Sequence, residues 1–462
     1  MQDSLDLLGI WWDPAYPQNK VPGRMIWGPV EGGALHLVGS LDPGYLEDDW
    51  YPDQELRPQI PEIHGEADDG VRYTLVSAIH NRLRPAGLLE QPYESFTFSL
   101  MLGGPDWVSN AMSDSFLGLS IGIKYLDTWI DKTGLTLTHN NRSDFRDKTI
   151  NSQHLDDTNF TADGIAIKLR QTVQTERNQS SIRFREVWFL DLAPERANSI
   201  ADLLKSASYL QDLVSLAADD YAEFTDASVI YPTEIPLPNG EVKCEPSRYK
   251  LYFQPRNTST KTKQLMSAEL YFTFADIGGA AGLANWFTVA KEYALVLDRA
   301  MEPFYNKHLS LEDQQLSSCV SLEMFYKVLH KVKKGKGPNY ECMVTGVFKF
   351  IGDDLASEIV PTYRAEWATE TRRIRNDLAH SRDLPPPRDR VKWLWVLWQQ
   401  AFWVTIIAIM KEAKFAEPVL QKIMKHRKIV WLASEYRATA KAMLDTKPTD
   451  PSPQGREVHD CD

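Results

Sequence analysis

The chain has 462 residues, too many for a single hydrophobic core and enough for two or three domains. Hydrophobic residues make up 43% of it and charged residues 25%, as in ordinary soluble globular proteins. The formal charge of −12 argues against a protein that coats nucleic acid through bulk positive charge, but it does not exclude a local basic cleft.

Three features of the sequence indicate the cellular compartment in which the protein acts: its cysteines, its N-terminus and one apolar segment. Four cysteines are too few and too irregularly spaced for a disulfide scaffold or a zinc site, which favours a reduced setting: Cys244, Cys319, Cys342 and Cys461. The acidic N-terminus does not resemble a secretory signal, so we expect a cytoplasmic protein. The segment Trp393–Met410 approaches the length of a membrane span, but Gln399 and Gln400 interrupt it. We therefore expect a buried bundle helix and no membrane association.

In the first half of the chain, turn residues separate short segments of strand character. This pattern predicts a β-rich domain of sandwich or barrel type over residues 1–278, interrupted by one helix around Pro194–Leu216. The expected strands are Ala34–Val38, Arg72–Ile79, Ser95–Met101, Leu117–Tyr125, Gly134–Thr138, Gly164–Leu169, Ser181–Phe189, Tyr249–Phe253 and Leu270–Phe274.

After Gly278–Gly279, apolar residues recur at helical spacing, which predicts an all-α domain over residues 279–444. The three prolines from Pro385 to Pro387 end one of its helices. Residues 445–462 are expected to form a disordered tail. A β-rich domain followed by an all-α domain predicts the α+β fold class. Helices are expected at Leu283–Tyr305, Leu311–Val332, Arg364–His380 and Arg388–Ala413, with a further segment near Thr345–Ile351 and one or two helices up to Leu444.

The motif RNDLAH, from Arg375 to His380, carries residue types suited to RNA cleavage. Histidine transfers protons near neutral pH, and arginine offers a permanent charge whose planar fork matches phosphate oxygens. A base that deprotonates the ribose 2′-OH and an arginine that stabilises the developing charge suffice without a metal. The five-residue spacing, a rotation of roughly 140° on an ideal helix, makes sense if the helix ends near His380. Each protomer of a symmetric dimer would bring one such pair to a shared cleft.

Less specific explanations apply to each of these residues. An arginine and a histidine at a helix end also fit capping or surface charge. The basic loop is either solvated or contacts the RNA backbone, and it contains Lys331, Lys333, Lys334 and Lys336. The acidic groups fit surface charge better than a two-metal site, and they comprise Asp127, Asp131 and Asp147, and Asp156 with Asp157. Cys319 on an apolar helix fits a core position, and no metal or cofactor is expected.

The helical half resembles the HEPN nucleases. RNDLAH fits that family's pattern of arginine, a polar residue and a later histidine, and it precedes a long apolar helix. SLEMFYKVLH, with Glu323 and Tyr326, resembles the family's helix with an acidic residue followed by an aromatic one, and ANWFTVAKEY resembles the opening helix. The resemblance implies that Arg375 and His380 are catalytic and that Asn376 orients the histidine or binds phosphate. For Glu323 it leaves a catalytic role or an ion pair inside the bundle.

The first half resembles the ApeA N-terminal domain. The segments that carry this likeness are GIWWDP, PGRM, GALHL, IHGEADDGVRYTLVSA and IKYLDTWI. The resemblance implies an abortive-infection protein of phage defence whose HEPN domain cuts RNA, with tRNA one candidate, while its β-rich domain senses infection or restrains activity. Implied partners are a phage-derived trigger and a second copy of the chain. The alternative is a non-catalytic dimeric binding module.

Overall fold

The computed structural model describes residues 4–42, 59–84, 92–113, 115–141, 144–179, 181–236, 242–255, 264–333, 337–379 and 390–445. A β-rich first half is followed by a helical second half, which confirms the predicted α+β class. Two compact units form. The first comprises residues 1–128, 132–211 and 222–264, and the second comprises residues 129–131, 212–221 and 265–462, so the helical unit takes in two short pieces of the first half.

Fifteen strands are present among the described residues, and neighbouring strands pair in antiparallel fashion. They are β1 (Leu5–Trp12), β2 (Val21–Gly28), β3 (Gly32–Val38), β4 (Gln59–Ala67), β5 (Arg72–Arg84), β6 (Tyr93–Phe98), β7 (Leu100–Gly104), β8 (Gly118–Ile123), β9 (Leu135–Asn141), β10 (Asp144–Ser152), β11 (Thr158–Ala162), β12 (Ile165–Arg177), β13 (Ile182–Pro194), β14 (Phe224–Pro236) and β15 (Val242–Phe253).

Six strands close into a barrel, in the order β5, β4, β1, β2, β3 and β6, because β6 also pairs with β5. Closure leaves no free edge among these strands. Alternate residues point inward and form the core of this unit, including Trp11, Met25, Leu35, Ile63 and Phe96. The barrel prediction made from short, evenly spaced strands is thereby confirmed.

Two glycines let aromatic rings fill the barrel. A Cβ on Gly65 would lie 2.1 Å from the Trp11 ring, and a Cβ on Gly33 would lie 2.0 Å from the Phe98 ring. Neither position can take a side chain without displacing its ring. These glycines therefore explain how bulky residues fit inside six strands.

The remaining strands extend from the barrel through β7, which pairs with both β5 and β15. From β15 the order continues β14, β8, β13, β12 and β11, and β9 with β10 forms a separate two-stranded ribbon. The long strand β5 reaches both parts because Arg72–Val76 pairs with β7 and Ile79–Arg84 pairs with β6.

Three predictions for the β-rich half are corrected. The strand expected at Ser95–Met101 is two strands, β6 and β7, which separate at Ser99 and continue with different partners. The expected helix begins at Ile200, because Pro194 still belongs to β13 and Ser199 caps the helix through the Asp202 amide at 3.1 Å. The run Leu270–Phe274 is not a strand; it is buried irregular chain, and a short apolar run does not distinguish the two.

Helices lie mainly in the second half of the chain. They are α1 (Leu126–Ile130), α2 (Ile200–Ala218), α3 (Gly279–Glu292), α4 (Ala294–Tyr305), α5 (Leu311–Leu329), α6 (Tyr340–Ile351), α7 (Asp353–Ile359), α8 (Arg364–Ala379), α9 (Arg390–Glu412), α10 (Glu417–Met424) and α11 (Arg427–Asp445). The single helix expected at Leu283–Tyr305 is α3 and α4, with a break at Tyr293, whose buried ring stacks on Phe325 of α5 at 5.1 Å.

Helix α9 forms the core of the helical unit and packs along α5. Its segment Val391–Glu412 is the one described helix long and apolar enough to cross a membrane, and 89% of that apolar window is buried inside the protein. The predicted buried bundle helix is thus confirmed. Gln400, in its middle, accepts a hydrogen bond from Trp367 Nε1 at 2.8 Å and donates one to the Ile359 carbonyl at 2.8 Å.

Of the three described cysteines, one departs from the expected reduced state. Cys244 and Cys319 are free thiols, whereas Cys342 is disulfide-bonded. Spacing along the chain does not show which cysteines meet in space, so a bond at Cys342 could not be predicted from it. The predicted tail, from residue 446 onwards, lies outside the described residues.

Candidate functional site

Helix α8 carries the first part of the candidate motif and packs against α5 and α6. Trp367, Thr371 and Ile374 recur at helical spacing and are buried, so they fix the face that α8 turns to the bundle. Arg375 follows Ile374 and therefore lies at the border of this face, where its side chain is 28% exposed. The border position lets one side of the guanidinium contact the protein and the other contact solvent.

Arg375 forms an ion pair with Glu323 of α5. Its Nη2 donates to Glu323 Oε2 at 2.6 Å, and the glutamate side chain is only 12% exposed. Glu323 also pairs with Lys327, one helical turn further along α5. The ion pair inside the bundle, one of the two roles left open for Glu323, is therefore present, with one carboxylate between two cations.

Asn376, the polar position of the motif, contacts the same arginine. Arg375 Nη1 donates to Asn376 Oδ1 at 3.1 Å. A guanidinium has five N–H donors. The two terminal nitrogens thus hold protein partners, and among the described residues nothing binds the second N–H of either, which leaves both for a ligand such as a phosphate oxygen.

The aromatic ring of Tyr340 lies against the arginine from α6. The centre of the guanidinium is 5.7 Å from the ring centroid, within the range of a cation–π interaction. Arg375 Nε is buried and has no hydrogen-bond partner among the described residues. The position of the guanidinium therefore depends on Glu323, Asn376 and Tyr340.

Neighbouring arginines on α8 bind other carboxylates. Arg372 pairs with Glu341 of α6 at 2.7 Å. Arg373 pairs with Glu370 at 2.7 Å and with Asp377 at 3.1 Å, along its own helix. Of these three arginines, only Arg375 reaches across to α5 and also contacts the Asn376 side chain.

The histidine of the motif is not among the described residues. Helix α8 is described up to Ala379, directly before His380. The structure thus brings Arg375, Asn376 and Glu323 together and does not place His380. The expected helix end at His380 stays a prediction.

The basic loop begins where α5 ends. Lys331 and Lys333 are exposed, whereas Lys334 and Lys336 lie outside the described residues. Glu323 lies six residues before the end of α5 at Leu329, roughly 9 Å along the helix axis, and Lys331 follows two residues after that end. Two of the predicted RNA-contacting lysines therefore lie on the same end of α5 as Glu323.

Sequence reasoning missed two residues of the site. Lys327 lies four residues after Glu323 on one helix, and that spacing was a usable signal. Tyr340 follows Asn339, which caps α6 through the Cys342 amide at 2.9 Å. Nothing in the sequence connects Tyr340 with Arg375, because the two helices meet only in the folded bundle.

The thiol and metal alternatives find no support in the geometry. Cys319 is fully buried, as expected for a core position, and burial raises the pKa of its thiol to about 11. A protonated, inaccessible thiol is not a nucleophile. Among the described residues, no group of three or more His, Cys, Asp or Glu side chains is arranged to hold a metal ion.

Comparison with known proteins bears on the first half of the chain. Residues 6–286 match the family model described as ApeA N-terminal domain 1. No curated protein and no solved structure shows significant similarity to the chain.

Proposed function

Because the chain belongs to the ApeA N-terminal domain 1 family, we propose that it is an abortive-infection defence protein whose helical unit is a metal-independent RNA endonuclease of the HEPN type. Membership of the family suggests the defence role. The observation that carries the nuclease proposal is the oriented guanidinium of Arg375, half-buried on α8 and five residues before His380 in the sequence. Its contacts orient it and leave donors for a phosphate.

In this mechanism His380 and Arg375 have separate tasks. His380 removes the proton of a ribose 2′-OH, and the resulting oxygen attacks the adjacent phosphate. Arg375 stabilises the negative charge that develops on the phosphate oxygens, and Asn376 keeps its guanidinium directed at them. The P–O5′ bond breaks, the leaving 5′-oxygen takes a proton from solvent, and the protonated histidine returns one to solvent. The products carry a 2′,3′-cyclic phosphate and a 5′-hydroxyl. DNA is not cut because it lacks the nucleophile.

Substrate and partners follow from the same assignment. Lys331, Lys333 and Lys334 contact the RNA backbone, and structured RNAs such as tRNA are candidate substrates. The β-rich unit senses infection, for example through a phage-derived protein, or restrains the nuclease. A second copy of the chain docks on the aromatic face of α9 and α11, where Trp395 contacts the half-exposed Trp431 at 5.3 Å. The protein acts in the cytoplasm.

The test compares RNA cleavage by the purified full chain and its variants in the presence of a chelator. We expect Arg375→Ala and His380→Ala to abolish cleavage, and the matched control Arg372→Ala, which removes a neighbouring charge on the same helix, to retain it. The ends should be 2′,3′-cyclic phosphates, and RNA with a 2′-deoxy substitution at the cut site should stay intact. Equal cleavage by wild type and by His380→Ala would refute the assignment.

A second candidate is a non-catalytic dimeric binding module. The ion pair of Arg375 with Glu323 favours it, because this contact also gives the arginine a purely structural reason to be there. Cellular RNA mapped from infected cells carrying wild-type or His380→Ala protein separates the two. Identical RNA ends in both, together with retained protection, would support the binding module.

A further inference from the structure

The ring of Tyr340 is the one aromatic contact of Arg375 among the described residues, and it comes from a different helix than the ion-pair partner. Tyr340 begins α6, directly after the capping residue Asn339. The residue is 5% exposed, so its ring is shielded from water. Cation–π attraction is stronger at such desolvated positions than at exposed ones.

The ring is also neutral under all physiological conditions. Burial raises the pKa of Tyr340 well above its ordinary value, so the phenol keeps its proton. It therefore acts on Arg375 through its aromatic face rather than as a phenolate. The neighbouring thiol of Cys319 is neutral for the same reason.

Hydrogen bonds alone leave the guanidinium incompletely held. Glu323 binds Nη2 and Asn376 binds Nη1, but Nε has no hydrogen-bond partner among the described residues. Two contacts at the outer nitrogens still allow the plane of the group to tilt. Attraction of the cation to the Tyr340 ring, whose centroid is 5.7 Å from the guanidinium carbon, would restrict that tilt.

We propose that Tyr340 is a positioning residue for Arg375, whose ring fixes the plane of the guanidinium so that its two remaining outer N–H groups meet the RNA phosphate. This inference rests on the proposed nuclease function for its catalytic part only. The contact between ring and guanidinium can be tested whether or not the protein cuts RNA.

The chain offers a matched control on the same pair of helices. Arg364 of α8 lies over the ring of Phe348 of α6 at 5.9 Å, and Phe348 is 6% exposed. Phe348→Leu thus removes a ring of similar burial beneath another arginine of α8, eleven residues from Arg375. It reports the cost of losing a ring without touching the site.

The first experiment measures single-turnover RNA cleavage. Because misplacement of a catalytic group by about 1 Å can lower a rate about 100-fold, we expect Tyr340→Leu to lower the rate constant roughly 10- to 100-fold. The effect should fall on the rate constant more than on RNA affinity. Tyr340→Phe and Phe348→Leu should stay close to wild type. A loss equal in Tyr340→Leu and Phe348→Leu, or one not rescued by Tyr340→Phe, would overturn the proposal.

The second experiment needs no nuclease activity. Hydrogen exchange of the α8 amides reports how often this helix opens. Tyr340→Leu should increase opening about 2- to 30-fold more in the wild-type background than in the Arg375→Gln background. An equal increase in both backgrounds would overturn the positioning role. A wild-type protein that cuts no RNA but shows the coupling would instead refute the proposed nuclease alone.

A third measurement covers the case in which Tyr340→Leu does not fold. Phenylalanine and trifluorophenylalanine at position 340 have nearly the same shape, but fluorine withdraws electron density from the ring face that attracts the cation. We expect α8 to open more often with the fluorinated ring, and only while Arg375 is present. Identical opening with both rings would contradict the proposal.

Discussion

Removing the charge of Glu323 is the most direct test of how the site is held together. Glu323→Gln keeps the shape of the side chain but leaves Arg375 and Lys327 without their shared carboxylate. A hydrogen bond to a charged group contributes about 1.5–3 kcal/mol to the free energy of unfolding. For the contact between Glu323 and Arg375 we expect about 1–2 kcal/mol, because Arg375 is partly exposed to solvent. The amides of α8 should then exchange with solvent about 5- to 30-fold faster in Glu323→Gln than in wild type.

Hydrogen exchange suits this variant because the chain has two compact units, and a single unfolding transition would mix them. The matched control is Asp353→Asn. This variant removes an ion pair between Asp353 of α7 and Arg364, which lies on α8 like Arg375. The N–O distance of the pair is 2.8 Å, and the aspartate side chain is 88% exposed. Such a surface pair contributes about 0–1 kcal/mol. If both variants changed exchange in α8 equally, burial would not strengthen the contact of Glu323 with Arg375, and our account of the site would be refuted.

Three further predictions concern the core and the pH dependence. Burial lowers the pKa of His64 in the folded protein. As the pH falls, the histidine of the unfolded chain is therefore protonated before that of the folded chain. The free energy of unfolding of the first unit should decrease from about pH 7 to pH 5 for this reason. His64→Asn should flatten that part of a urea-midpoint profile, and an unchanged slope would contradict it. Gly65→Ala should cost about 1–3 kcal/mol, measured as a lower urea midpoint by tryptophan fluorescence, because the new methyl group would meet the Trp11 ring. Gln400→Leu should cost about 1–3 kcal/mol in the helix signal at 222 nm, since Trp367 Nε1 would lose its buried acceptor, whereas a neutral effect would mean that the indole finds another.

The sequence predicted those parts of the candidate site whose residues lie close together on one helix. Arg375 and Asn376 are adjacent on α8, and their residue types suggested phosphate binding without any structure. Glu323 was singled out because its helix resembles that of the HEPN family. Its ion pair with Arg375, 52 residues away, depends on the packing of α5 against α8 and was not predicted. Tyr340 had no sequence signal at all. Contacts between helices depend on crossing geometry, which periodicity within one helix does not encode.

For the fold as well, local sequence patterns predicted some features, and long-range contacts decided the others. Local patterns were sufficient for the β-rich and helical halves, for most helices and for the buried character of α9, because burial imposes its own period on each element. Only the tertiary structure decided that β5 pairs with β6 to close the barrel and with β7 to continue the sheet. It also decided that a helix breaks at Tyr293 and that Leu270–Phe274 is irregular chain. Those outcomes depend on partners distant in sequence, whose packing free energies outweigh the local preferences of the segments themselves.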